Sequence, residues 1–118
     1  MSRHDAVENL LETMNLFANA LSWLDRSYRL CQEIGIKPVY TDEEFDHFET
    51  LTSRYARVTD MLLGKVFRSL DRVEFIQGGT LIDVVNRAHK RNLIESVEQL
   101  RHLKDVRNEI AHEYVQVD

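Results

Sequence analysis

Eight consecutive residues near the end of the chain combine side chains that could act together on a phosphodiester. They are Arg107, Asn108, Glu109, Ile110, Ala111, His112, Glu113 and Tyr114. Arginine carries a permanent charge on a planar fork that fits two phosphate oxygens, and histidine exchanges protons near neutral pH. Such a pair could cut RNA without a metal. A base removes the proton of a 2′-hydroxyl, an acid protonates the leaving 5′-oxygen, and the guanidinium stabilises the charge that grows on the phosphate.

The helix that carries these residues determines how they can meet. At about 100° per residue, Arg107 projects near the middle of an apolar arc of the last helix. The arc consists of Val97, Leu100, Leu103, Val106 and Ile110. His112 lies about 140° from Arg107, on the polar flank beside Asn108. Because a buried arginine needs a partner, we expect the helix end to line a groove, most simply one formed with a second copy of the chain.

The spacing of the motif resembles that of a known group of helical proteins. The pattern here is an arginine, four residues, a histidine, one residue and a tyrosine, formed by Arg107, His112 and Tyr114. It is similar to the motif of the HepT branch of the HEPN superfamily. The resemblance is sharpest from Thr80 to Tyr114, and before that it rests on the number and order of helices. The family usually has a further helix after the motif, which would be a fifth helix here.

The resemblance implies a function for each residue of the motif. The chain would be the toxin of a type VII-like toxin–antitoxin system, a homodimeric endoribonuclease that needs no metal. Arg107 and His112 would be catalytic, with Asn108 in support. A partner minimal nucleotidyltransferase would neutralise the toxin by transferring AMP to Tyr114. The alternative is a non-catalytic helical subunit that binds such a nucleotidyltransferase or its substrate, and a third reading is a dimerising scaffold.

Structural explanations also exist for each of these residues. His112 could end a helix, where the helix dipole favours a cation. Arg107 could pair with a core carboxylate, and Asn108 could lie on the surface and only orient His112. Tyr114 could pack its ring against the helices. At the level of sequence these explanations stay open.

Composition and charge limit the classes of function. The chain has 118 residues, which fits one domain over residues 1–118, and 43% of them are hydrophobic. Its net charge of −5 argues against a generic nucleic-acid binder. Between residues 87 and 107, however, six Lys or Arg face three acids, a local charge of +3. The candidates for RNA contact are Arg87, Lys90, Arg91, Arg101 and Lys104. Solvated helix faces would explain the same charges.

Other classes of protein lack support in the sequence. Cys31 is the only cysteine, so neither a disulfide framework nor a cysteine metal cage is expected. The chain has no His-Glu-x-x-His sequence and no pair of carboxylates at ligand spacing with a histidine, so we expect no metal and no cofactor. No apolar run approaches the roughly 18 residues of a membrane span, and the first residues lack a signal-peptide core. We therefore expect a cytoplasmic protein with no membrane partner.

Apolar periodicity predicts an all-α, up-and-down bundle of four, possibly five, helices. The first helix carries a heptad pattern. Its members are Val7, Leu10, Met14, Phe17, Leu21, Leu24, Tyr28 and Cys31. Thr41 and Glu44 form a capping box for a second helix that runs to about Phe75, and Gly64 is the expected bend.

Two shorter helices complete the predicted bundle. The third runs from Thr80 to about Arg91, and Ser96 with Gln99 caps the fourth. Residues 77–80, with two adjacent glycines, are predicted to be a turn between helices. A phosphate-binding loop is not expected there, because no strand precedes the glycines.

Overall fold

The computed structural model describes the backbone of residues 2–116 and the side chains of residues 2–112. Helix α1 spans Arg3–Ile34, α2 spans Asp42–Met61, α3 spans Phe67–Val73, α4 spans Leu81–Lys90 and α5 spans Val97–Gln116. A π-helical segment, Leu62–Val66, joins α2 to α3 without a break. The described residues therefore form four helical rods and no strand, which confirms the all-α helical bundle.

Local capping explains where the rods begin. The hydroxyl of Thr41 accepts a hydrogen bond from the backbone of Glu44, whose carboxylate accepts one from the backbone of Thr41. Thr80 and Asp83 repeat this capping box at the start of α4. The Ser96 hydroxyl accepts from the backbone of Gln99 at 3.0 Å, as predicted for the last helix. Each cap satisfies amides that have no partner within the first turn.

The irregularity expected at Gly64 lies in the π-helical segment. The Phe67 amide donates to the Leu62 carbonyl, five residues back. A π turn inserts one extra residue and rotates the face of the helix that follows. Leu63, Val66 and Phe67 are all buried there and begin the core that faces α4.

The heptad pattern predicted for α1 is confirmed at Leu10, Phe17, Leu24 and Cys31 and is wrong at the positions between them. Met14, Leu21 and Tyr28 are exposed, whereas Thr13 and Ser27 are buried. The packed face consists of Ala6, Leu10, Thr13, Phe17, Ala20, Leu24, Ser27 and Cys31. Small side chains alternate with large ones along this face, so that α2 packs closely against α1. Apolar periodicity alone favoured the larger neighbours because it does not register Ala, Ser and Thr as packing positions.

The buried core is concentrated where α4 and α5 meet the π-helical segment and α3. Its members are Leu63, Val66, Phe67, Val84, Val85, Ala88 and Leu100. The molecule is elongated, with principal extents of 54 × 29 × 25 Å. Packing of α5 against both α2 and α4 places the motif helix on the core. No helix within residues 2–116 has an apolar stretch long enough to cross a membrane.

Candidate functional site

Arg107 forms a two-bond ion pair with Asp60 of α2. Its Nε donates to Asp60 Oδ1 at 2.8 Å, and its Nη2 donates to Oδ2 at 2.8 Å. The side chains of Arg107 and Asp60 are 28% and 44% exposed. The expectation that the apolar arc of α5 buries Arg107 is therefore wrong for the single chain, in which the side chain is only partly covered. The arginine does have a carboxylate partner, but the pair lies at the protein surface rather than in the core.

Sequence reasoning did not identify Asp60. The Asp60 carboxylate lies two residues after Val58, which is buried. Its local sequence resembles that of a solvent-exposed acid. The signal that could have found it is the requirement of Arg107 for a partner on the neighbouring helix. The hydrogen bonds that Arg107 donates to Asp60, together with the negative charge of that carboxylate, raise the pKa of Arg107 above its ordinary value. The guanidinium is consequently a permanent cation.

The ion pair with Asp60 uses only one edge of the Arg107 guanidinium. Asp60 occupies the edge formed by Nε and Nη2, whereas the second edge presents Nη1 and the other Nη2 hydrogen. Among the described side chains, no other group accepts a hydrogen bond from Arg107. An incoming phosphate can thus be bound by two hydrogen bonds while Asp60 keeps the fork oriented.

His112 and Asn108 lie on a different flank of α5, and both are exposed. At about 100° per residue they share a stripe, roughly 80° wide and 16 Å long, with Arg101 and Lys104. The stripe combines two cations, an amide and an imidazole. Arg107 projects about 140° from His112, so one chain alone does not bring the two groups together.

Arg87 and Arg91 have a different environment from the other cations proposed for RNA contact. Arg87 donates to both oxygens of Asp71, at 3.1 and 2.8 Å. Arg91 donates to Asp71 at 2.9 Å and to Glu74 at 3.2 and 2.7 Å. This network, which we name the Asp71 cluster (Asp71, Glu74, Arg87 and Arg91), ties α4 to the end of α3. Two of the predicted RNA contacts are thus engaged in structure, while Lys90 is exposed.

The Asp71 carboxylate lies under two opposing influences. Burial alone would raise its pKa, because the side chain is only 4% exposed. The hydrogen bonds and charges of Arg87 and Arg91 outweigh burial and hold the pKa of Asp71 below its usual value. The Asp71 carboxylate is therefore ionised at neutral pH, and the positive charges of Arg87 and Arg91 balance its negative charge.

An apolar groove runs beside the motif helix. Its walls are formed by Leu21, Leu24, Tyr28, Leu51, Tyr55, Val106 and Ile110, with Asp25 and Thr52 at the edge. The Tyr55 hydroxyl donates to the Leu103 carbonyl at 2.9 Å and ties α2 to α5. Within the part of the chain whose side chains are described, nothing fills this groove. An apolar surface of this kind is typical of a contact with another protein.

Two further expectations concern Tyr114 and metal ions. The side chain of Tyr114 lies outside the described residues. Among the described side chains, no group of three or more histidines, cysteines, aspartates or glutamates is arranged to hold a metal ion. Cys31 is buried, and burial raises the pKa of its thiol.

Comparisons of the chain with models of protein families, with curated proteins and with solved structures found no match. The resemblance to the HEPN superfamily therefore rests on the residues of the motif and on the order of the helices.

Proposed function

We propose that the chain is the toxin of a type VII-like toxin–antitoxin system, a homodimeric, metal-independent endoribonuclease similar to HepT that acts in the cytoplasm. One observation carries the proposal. Arg107 is held side-on by Asp60, none of the described side chains occupies its second edge, and an exposed His112 follows at the end of the same helix. A cation with a free two-donor edge and an accessible imidazole are the two groups that metal-free RNA cleavage requires.

The proposed reaction is an internal transesterification of RNA. The imidazole of His112 takes the proton of a 2′-hydroxyl, and the 2′-oxygen forms a bond to phosphorus. The bond between phosphorus and the 5′-oxygen breaks, and the leaving oxygen receives a proton from the histidine of the second protomer. The products are a 2′,3′-cyclic phosphate and a 5′-hydroxyl. The open edge of Arg107 donates to the non-bridging oxygens as their charge grows, and Asn108 orients His112.

A second copy of the chain would bring an arginine and a histidine together in one site. Arg107 and His112 diverge by about 140° on one helix, so a groove between two α5 ends is needed to bring an arginine and a histidine to the same phosphate. The apolar groove that Val106 and Ile110 help to form lies directly beside this helix end. Its burial in a dimer would favour association through the hydrophobic effect.

RNA would approach along the polar stripe of α5. Arg101 and Lys104 precede His112 on this flank and can contact successive phosphates, with Lys90 nearby in sequence on α4. Because Arg87 and Arg91 are engaged by carboxylates, we assign them a structural role rather than RNA contact.

Regulation would act on Tyr114. A partner minimal nucleotidyltransferase would transfer AMP from ATP to the phenol oxygen and release pyrophosphate. The product carries a bulky anion two residues from His112, which would repel the RNA phosphate and block the groove.

The second candidate function is a non-catalytic subunit that binds a nucleotidyltransferase. The ion pair with Asp60 favours this alternative, because it gives Arg107 a partner without any substrate. In that case the α5 stripe would recognise phosphate or protein without cleaving RNA.

Cleavage of tRNA and mRNA by the purified chain in EDTA tests the proposal. We expect products with cyclic phosphate ends, and we expect His112→Ala to lower the rate by about 10²- to 10⁴-fold because the proton carrier is lost. His102→Ala is the matched control, since His102 is an exposed histidine of the same helix.

The parental chain should also lose activity on dilution below its dimer dissociation constant. Intact RNA after incubation with a dimeric parental chain would favour the non-catalytic subunit. Cleavage by His112→Ala at the parental rate would remove His112 from the mechanism.

A further inference from the structure

The C-terminal end of helix α3 places Phe75 in an unfavourable backbone conformation. The Ile76 amide donates to the Asp71 carbonyl at 2.9 Å, and the Phe75 amide donates to the Arg72 carbonyl at 3.0 Å. This is the Schellman motif, in which the residue at the position of Phe75 adopts the left-handed conformation. Phe75 has φ +60°, a backbone conformation that favours glycine and that bulky side chains rarely adopt.

Helix α4 ends in the same motif, with a residue type that is common at the left-handed position. The Leu93 amide donates to the Ala88 carbonyl at 3.1 Å, and Asn92 occupies the left-handed position with φ +60°. Asparagine is among the residues that tolerate this conformation. The two helix ends show that the fold itself does not require a phenylalanine at position 75.

Burial does not compensate for the strain at Phe75. The residue is 66% exposed, so its ring contributes little to the core. Strained residues of this kind cluster at functional sites, where the geometry places a side chain for binding. The exposed ring therefore calls for an explanation outside folding.

The ring borders a cavity that also presents two arginines. The cavity has a volume of about 220 Å³, and Arg68, Arg72 and Gln77 line it together with Phe75. Neither Arg68 nor Arg72 forms an ion pair with a described carboxylate, although Arg72 donates to Asn9 at 3.4 Å.

The segment from α3 to the end of α4 carries a net positive charge. Asp71 borders the cavity, but Arg87 and Arg91 already occupy both of its oxygens. Between residues 67 and 91, five Lys or Arg stand against three acids, a sequence charge of +2 in a chain of net charge −5.

We propose that this cavity binds a nucleotide unit, with the base stacked on Phe75 and the phosphate held by Arg68 and Arg72. Base stacking on an exposed aromatic ring beside arginines is how proteins bind single-stranded nucleic acid. The volume lies below the roughly 300–1,000 Å³ of sites that enclose a whole small molecule, and it suits one stacked base with its phosphate. The ligand is either a free nucleotide or one unit of a single strand.

The site is distinct from the motif at the end of α5. Arg72 contacts Asn9 near the start of α1, whereas Ile110 lines a groove with Tyr28, about 28 Å further along that helix. Binding at Phe75 consequently does not depend on the proposed ribonuclease activity.

Fluorescence anisotropy of a labelled 2′-O-methyl uridine 10-mer tests the site. The oligonucleotide cannot undergo transesterification, and an Arg107→Ala background lessens binding at the motif. We expect Phe75→Asn to weaken binding by about 5- to 100-fold through loss of stacking. The same change should raise the Tm by a few °C, since asparagine tolerates the left-handed conformation. Phe75→Tyr retains a ring and should bind like the parent.

Phe45→Asn is the matched control, because it removes another exposed phenylalanine, at the start of α2, and should not affect binding. Arg68→Gln combined with Arg72→Gln should weaken binding and reduce its dependence on salt. Separate titrations with UMP and with inorganic phosphate distinguish the source of the ligand. Phe75-dependent binding of UMP indicates a free nucleotide, and Phe75-dependent binding of the 10-mer alone indicates a strand.

Three results would overturn the proposal. The first is a parental chain that binds neither the 10-mer nor UMP. The second is a Phe75→Asn variant that binds with the same affinity as the parental chain, which includes binding through the phosphate contacts alone. The third is a Phe75→Asn chain whose loss of affinity is accompanied by a change of mass in light scattering, because the ring would then be a contact between subunits.

Discussion

The Asp71 cluster and the pair of Asp60 with Arg107 use the same chemistry in different surroundings. Asp71 is 4% exposed and accepts three hydrogen bonds from two arginines. Asp60 is 44% exposed and accepts two from one arginine, whose second edge has no partner among the described side chains. In the Asp71 cluster, both carboxylate oxygens of Asp71 are paired with arginines. In the pair of Asp60 with Arg107, the guanidinium still has donors that no described side chain uses.

This difference separates a structural ion pair from a candidate binding group. A buried carboxylate that loses its partners leaves an uncompensated charge, so the Asp71 cluster must remain intact for the fold. An exposed pair contributes little to stability because water can replace either partner. Arg107 can therefore bind a phosphate without loss of the packing between α2 and α5.

The largest expected contrast is between Arg107→Ala and Arg91→Ala. Arg107→Ala should lower RNA cleavage by about 10²- to 10³-fold, through loss of electrostatic stabilisation, and change the free energy of unfolding by less than about 1 kcal/mol. Arg91→Ala should lower the free energy of unfolding by about 1.5–3 kcal/mol, since Asp71 and Glu74 lose its hydrogen bonds while Arg87 still pairs with Asp71, and it should retain cleavage. Cleavage rates and urea unfolding of both variants measure this. Unfolding of Arg107→Ala would make its pair with Asp60 a structural one.

The next contrast concerns Asp71→Asn, which should lower the free energy of unfolding by about 3–5 kcal/mol because two arginines lose their carboxylate. The folded-state pKa of Asp71 is lowered, so its stabilisation is present above the unfolded pKa of about 3.9 and is lost as pH falls through the folded value. Urea unfolding from pH 7 to pH 3 should thus bring parent and variant closer together. A constant difference across this range would contradict the ionised state of Asp71.

The smallest expected effect is that of Asp60→Asn on stability, about 0.2–1 kcal/mol. RNA cleavage should fall about tenfold or more, since the asparagine amide orients the guanidinium less firmly. Asp105→Asn is the control, because it removes an exposed acid of α5 close in sequence to Arg107. Equal cleavage by Asp60→Asn and the parent would show that Asp60 does not position Arg107.

Local signals predicted the helices well. Thr41 with Glu44 marked the start of α2, and Ser96 marked the start of α5, because caps depend on residues within one turn. Gly64 marked the irregular segment of the second rod. On α1 the heptad pattern placed Leu10, Phe17, Leu24 and Cys31 correctly on the packed face, but Thr13 and Ser27 pack where Met14 and Tyr28 were predicted.

The sequence by itself determined the helical class, the helix boundaries and the angle of about 140° between Arg107 and His112, because all three follow from short-range geometry. Only the tertiary structure decided the partners. Asp60 lies 47 residues from Arg107 along the chain, and Asp71 lies 16 and 20 residues from its two arginines. These pairings depend on how α2, α3, α4 and α5 pack. Long-range packing thus gave both oxygens of Asp71 arginine partners, while the second edge of Arg107 has none among the described side chains. Residue types and spacing do not contain this distinction.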